Sequence, residues 1–191
     1  MNKRRVGRDE SIAFTLPDAS VGGEECRSET LAREHERVLV VLLRSHYCPL
    51  SREIVQSLRD EYGAFASRST AVVAVLPDTV ERGAVWQRRY ELPFSVLADP
   101  GESADDDEAA SSSPSFGTFE PYARYLQSLP GGALFRTDGD ELRLVETVGS
   151  DGRQSFPEVE ALLSEIESHD RGETRQRAGP RADTHAVTDT D

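Results

Sequence analysis

With 191 residues and 37% hydrophobic content, the chain has enough apolar mass for one well-buried core. It is too short for two ordinary domains and too apolar to be wholly disordered. A net charge of −13 disfavours phosphate backbones and anionic membranes, both of which call for basic faces.

In chain order, residues 1–11 are polar and basic, and a disordered N-terminus is expected there. Ile12 to Leu16 reads as a short strand ended by Pro17-Asp18, with Gly22-Gly23 as a turn behind it. Val38 to Leu43 is continuously apolar and β-branched, as a strand covered on both faces should be. No unbroken apolar run is longer, so no membrane span is present in the sequence. Arg44 to Tyr47 form a loop, and Cys48-Pro49 opens a helix whose apolar positions Leu50, Ile54, Val55, Leu58, Tyr62 and Phe65 recur at steps of mostly three and four residues. Ala71 to Leu76 is a second buried strand, which completes a βαβ unit.

Thr79 to Tyr90 reads as a second helix capped by Thr79 or Asp78, and Phe94 to Leu97 as a short strand stopped by Asp99-Pro100-Gly101. From about 102 to 116 the chain is acidic, then serine-rich, without periodicity, as in a solvated insertion. Helical spacing returns at Phe119, Tyr122, Leu126 and Leu129. Ala133 to Phe135 and Leu142 to Val148 flank Thr137-Asp138-Gly139-Asp140, a hairpin signal. Ser155 and Glu158 form a capping box around Pro157, and Val159, Leu162, Leu163 and Ile166 stripe the last helix. The tail 168–191 is polar and is expected to be disordered. The predicted architecture is one α/β domain over 12–167, a central mixed sheet flanked by helices.

Lys3 is the single lysine among 22 basic residues. Abundant carboxylates beside almost no lysine suggest a surface suited to high salt, with codon bias as the plainer explanation. No charged segment leads into an apolar stretch with a small-residue cleavage site, so a cytoplasmic location is expected. The two cysteines, Cys26 and Cys48, are too few for a disulfide framework.

Cys48 stands where a central strand hands over to a helix that begins with proline. Several backbone N–H groups there lack intrahelical partners and carry the positive end of the helix dipole, which favours a thiolate. Pro49 has no N–H to leave unpaired and fixes the helical φ. Arg44 can add positive charge, and the hydroxyls of Ser45 and Ser51 can donate to the sulfur or to a bound oxygen. Against this stands the plain alternative of a small apolar residue at a helix start.

The stretch Val41-Leu42-Leu43-Arg44-Ser45-His46-Tyr47-Cys48-Pro49-Leu50-Ser51-Arg52-Glu53 resembles the active-site segment of the peroxiredoxin-like (alkyl hydroperoxide reductase/thiol-specific antioxidant) branch of the thioredoxin superfamily. Phe14-Thr15-Leu16-Pro17-Asp18, Leu92 to Pro100 and Pro130 to Gly139 resemble three further segments of that family, in order. The resemblance covers residues 12–166 and implies a thioredoxin-like fold with Cys48 as the redox thiol. Departures are also visible. Ser51 replaces the second cysteine of Cys-x-x-Cys, Val41 stands where peroxiredoxins carry proline, and Pro130 stands where many carry a peroxide-binding arginine. Pro130 instead matches the thioredoxin cis-proline.

The resemblance implies an antioxidant oxidoreductase with no cofactor. Cys48 thiolate would reduce a peroxide or attack a disulfide, and an external thiol or thioredoxin-type reductant would resolve it, since Ser51 cannot. A Cys-x-x-Ser disulfide-exchange protein and a non-catalytic thioredoxin-fold binding module are the alternatives. The oligomeric state is left open.

Cys26 lies in a polar stretch and reads as an exposed bystander rather than a resolving thiol. His46 neighbours the thiol and can donate a proton, though a solvated loop histidine is the simpler expectation. His35, His46, His169 and His185 lack metal-ligand spacing. Asp105-Asp106-Asp107-Glu108 lacks an EF-hand pattern, and Trp86 and Tyr90 read as core or rim residues of their helix.

Overall fold

The computed structural model describes residues 10–101, 115–126, 128–148 and 156–177. Six residues in succession, Arg37 to Leu42, form β4 and are all buried, as are the seven of β5 (Thr70–Leu76). Alternate side chains of a strand point to opposite faces, so an apolar run of this kind demands cover on both. Val38, Val40 and Leu42 of β4 and Ala71, Val73 and Val75 of β5 enter one core with Phe119, Tyr122 and Phe135. Their neighbours Leu39, Val41, Val72 and Ala74 face the opposite way and are equally buried.

Around this pair the sheet grows to eight strands in the order β1-β8-β7-β4-β5-β6-β2-β3. Parallel pairing joins β4, β5 and β6 (Ser95–Ala98), and β7 (Gly131–Asp138) runs antiparallel to β4. The hairpin partner β8 (Glu141–Val148) follows a turn in which Gly139 takes φ 63°, a value glycine adopts without a Cβ clash. The central mixed sheet flanked by helices is as the sequence predicts.

Between β4 and β5 run α2 (Pro49–Asp60) and α3 (Tyr62–Ala66). The spacing predicts one continuous helix; Glu61, at φ −103° and ψ 10°, interrupts it ahead of Gly63, a poor helix former. Next, α4 (Val80–Tyr90) starts at Thr79, whose hydroxyl accepts the Arg82 N–H, and ends at Glu91 in the left-handed region. Buried Asp99 accepts the N–H groups of Thr118 and Phe119, each at 2.8 Å, and so sets the start of α5 (Glu120–Leu126).

The N-terminal strand divides in two. Ser11–Ile12 is β1, paired with β8 at one sheet edge, while Thr15–Asp18 is β2, paired with β6 toward the other. Phe14, buried between them, exchanges hydrogen bonds with Ser28, and that anchor lets the chain cross the sheet. Two elements lie where none is expected: β3 (Glu24–Arg27), the edge strand beside β2, and α1 (Ser28–Glu34), a short helix burying Leu31 and Ala32. A three-residue 3-10 turn, Ala19–Val21, precedes β3.

By its contacts the chain divides into two units, 1–159 and 160–191. The last helix, α6, spans Val159–Arg177 and so continues past Ser168, where its apolar stripe ends; glutamate, glutamine and arginine are good helix formers without one. The expectations for residues 1–9, for the insertion from 102 to 114 with Asp105 to Glu108, for Ser155 of the capping box and for residues 178–191 lie outside the described residues.

Candidate functional site

Cys48 is the N-cap residue of α2, in extended conformation (φ −68°, ψ 117°), and Pro49 follows at the first helical position. The Cys48 carbonyl accepts the Arg52 N–H at 3.2 Å, and its own N–H donates to the Ser45 carbonyl at 3.3 Å. Its side chain is half-buried, so small molecules reach it. Cys48 makes no side-chain cap, and the residue stands at the positive end of the twelve-residue helix α2.

Arg44 is exposed just past the end of β4, and Ser45 is half-buried. Ser51 is fully buried, and its hydroxyl accepts the Arg44 N–H at 3.1 Å. That bond closes the loop 44–48 onto the first turn of α2. Pro130 enters the same end of the sheet by another route. Gly131 is in register with Leu42, so the buried cis peptide Leu129–Pro130 sits beside the strand end from which the Cys48 loop departs. The sequence candidates Cys48, Arg44, Ser45, Ser51 and Pro130 thus share one end of the sheet.

His46 differs from expectation. Its side chain is 17% exposed, not solvated, and Nδ1 lies 2.5 Å from Oδ2 of Asp78. Asp78 is itself buried, and its other oxygen accepts from the Thr79 N–H (2.8 Å) and the Arg82 guanidinium (3.1 Å). The His46 carbonyl accepts the Trp86 indole N–H at 3.0 Å. Trp86 of α4 and Asp78, just ahead of the cap of that helix, therefore hold the Cys48 loop through its histidine. An ionised carboxylate only accepts, so Nδ1 donates to it, and in the neutral ring Nε2 is then the nitrogen without a proton. A pairing across 32 residues leaves no trace in local spacing; the sequence showed Asp78 only as a possible cap.

A groove of about 500 Å³ opens against this loop. His46 and Tyr47 line it from the loop, Arg52 from α2, and Arg82, Trp86 and Arg89 from α4. Trp86 and Tyr90 are buried residues of α4, with their rings edge to face at 5.3 Å, and they also line the groove, which the sequence did not show. Arg59 donates to the Tyr90 carbonyl at 3.1 Å and ties α2 to α4.

Cys26 is not an exposed bystander. It sits in β3, half-buried against the core, and burial, with Asp18 and Glu34 nearby, pushes its thiol up to about 11. Among the described residues no three histidine, cysteine or acidic side chains converge as metal ligands, and no helix is long and apolar enough to cross a membrane.

Comparison with known proteins places this geometry in context. The model of the AhpC/TSA family matches residues 8–116. A Mycobacterium tuberculosis protein provisionally named a peroxiredoxin is 28% identical over 121 residues, 63% of this chain and 71% of its own length. Among solved structures, the peroxidoxin BcpB of Mycobacterium tuberculosis superposes with a TM-score of 0.60 at 16% identity, covering 86% of this chain and 98% of that one. A yeast mitochondrial 1-Cys peroxiredoxin, whose thiol is resolved via glutathione/thioredoxin systems, gives 0.64 at 10% identity over 89% and 79%. The fold is thioredoxin-like.

Proposed function

The chain belongs to the AhpC/TSA family, and from that premise we propose that it is a thiol-dependent antioxidant oxidoreductase in which Cys48 reduces a peroxide. The observation that carries this reading is the position of Cys48 as the N-cap of α2, accessible and followed by Pro49. The thiolate attacks the terminal peroxide oxygen, the O–O bond breaks, and the leaving alkoxide takes a proton to become an alcohol or water. Cys48 is left as a sulfenic acid. Arg44 and Ser45 are the neighbours suited to steady the developing negative charge. An external thiol then restores Cys48 through a mixed disulfide.

Graded peroxide followed by a dimedone-type probe and peptide mass spectrometry tests the assignment. Label is expected first on Cys48, and Cys48→Ser should lose peroxide turnover with an external thiol while Cys26→Ser keeps it. Label mainly on Cys26, or equal activity of the two variants, would overturn it.

A second reading, disulfide exchange, draws on buried Ser51 at the place of a second cysteine, one helical turn from Cys48. The Ser51→Cys variant should then close an intramolecular disulfide with Cys48 under mild oxidant and reduce a protein disulfide. A variant that stays dithiol removes this reading.

A further inference from the structure

We propose that the groove between α4 and the Cys48 loop seats the reductant, and that this reductant is a small thiol bearing carboxylate groups. The inference rests on the reading of Cys48 as the peroxide-reducing thiol and concerns what arrives second.

Nothing within the chain can take that role. Position 51 is serine, and Cys26 is the other cysteine of two. In the sheet order β3 lies four strand steps from β4, about 19 Å along the sheet at roughly 4.8 Å per step. A disulfide needs Cα atoms within about 7 Å. The raised Cys26 thiol would also be a poor nucleophile at neutral pH.

The groove has the size and charge for such a ligand. Its 500 Å³ far exceeds the roughly 30 Å³ of one water, so a small peroxide would leave it nearly empty. On a chain of net charge −13, its charged lining is three guanidiniums against the single carboxylate of Glu81. Arg82 is already held by Asp78, but Arg52 and Arg89 have no carboxylate partner among the described residues. A guanidinium meets a carboxylate with two parallel hydrogen bonds. Val85 and Tyr47, both exposed, offer apolar surface to the rest of the molecule over the buried rings of Trp86 and Tyr90, and Tyr47 adjoins Cys48 in the chain.

The same groove holds a base. In the neutral ring that donates Nδ1–H to Asp78, Nε2 of His46 takes the proton of the incoming thiol. The thiolate attacks the Cys48 sulfur, the S–O bond of the sulfenic acid breaks, and the proton passes to the departing hydroxide to give water. A second molecule of the thiol attacks the mixed disulfide, which releases the free disulfide and returns Cys48 reduced. Two thiols are oxidised for each peroxide reduced.

Two measurements test the proposal. Cys48→Ser protein titrated with S-methylglutathione, which cannot react, is expected to bind saturably as read by the fluorescence of Trp86, the chain's one tryptophan. Arg52→Gln with Arg89→Gln should weaken that binding at least tenfold. In wild type oxidised by one equivalent of peroxide, mixed-disulfide formation should saturate with glutathione. The arginine double variant should raise half-saturation at least tenfold for glutathione and less than twofold for 2-mercaptoethanol. His46→Gln should lower the saturated rate and leave half-saturation in place. Absence of saturable binding, a double variant that matches wild type, or a Cys26–Cys48 disulfide between two chains as the main product would overturn the proposal. The binding measurement involves no peroxide, so it judges the groove even if Cys48 fails to form a sulfenic acid, a failure that would strike the peroxide reading instead.

Discussion

Two cysteines with ordinary side chains are made different by where the backbone puts them. Cys48 caps a helix at an open loop, while Cys26 is half-buried on an edge strand near Asp18 and Glu34. Burial and those carboxylates both disfavour a thiolate at Cys26, which raises it to about 11. Below that pH the folded protein keeps Cys26 protonated, so alkylation by iodoacetamide at pH 8 should mark Cys48 and leave Cys26 nearly untouched. Cys26 labelling should climb as pH approaches 11, and appear at once in denaturant. Equal labelling of both thiols at pH 8 in the native protein would contradict the burial of the Cys26 side chain against the core. The sequence offered the right pair of thiols but misplaced Cys26, because its neighbours Glu25 and Arg27 are polar and a single edge strand has too few apolar residues to declare itself. His46 was misplaced for a related reason: its partner Asp78 comes from a different element, and only the fold brings the two together.

At the scale of elements, the close approach of α4 to the turn Ala19–Val21 sets a measurable limit. A Cβ on Gly83 would lie 2.9 Å from the Ala19 methyl, well inside contact distance. Gly83→Ala should gain about 1 kcal/mol of helix propensity and lose about 1–3 kcal/mol to overpacking. Net destabilisation is therefore expected, seen as a lower denaturant midpoint, and Ala19→Gly in the same chain should restore part of it. A Gly83→Ala variant more stable than wild type would mean that α4 stands further from the turn. How legible each element was follows from its length and burial. The strands β4 and β5 and the helices α2 and α4 announced themselves, because continuous apolar runs and clean helical spacing leave little choice of period. The split of the first strand and the short α1 did not, since each depends on hydrogen bonds between Phe14 and Ser28 rather than on local pattern.

For the whole molecule the dominant physical fact is charge. At net −13 the folded chain repels itself, and at 0.01 M salt the Debye length of roughly 30 Å lets that repulsion act across the entire fold. Surface ion pairs such as Arg33 with Asp140, both well exposed, offset little of this. The melting temperature should therefore rise steeply from low salt to molar potassium chloride, as calorimetry would show. A flat response would remove the reading of the composition as an adaptation to high salt. The groove at Cys48 would feel the same screening, since a carboxylate ligand must approach an anionic molecule to reach two arginines.

Pro100 bridges Phe116 across an antiparallel contact, and the Gly101 N–H donates to the Ser115 carbonyl at 3.0 Å. With Asp99 gripping Thr118 and Phe119 behind it, the point where the chain leaves the sheet and the point where it returns are fastened side by side. Neighbouring backbones at such a bridge stand about 5 Å apart, a gap that a turn of a few residues can span. The return of the chain to the sheet is therefore fixed by bonds among Asp99, Gly101, Ser115, Thr118 and Phe119 themselves, so a variant shortened between Gly101 and Ser115 should keep the register of β6 against β5.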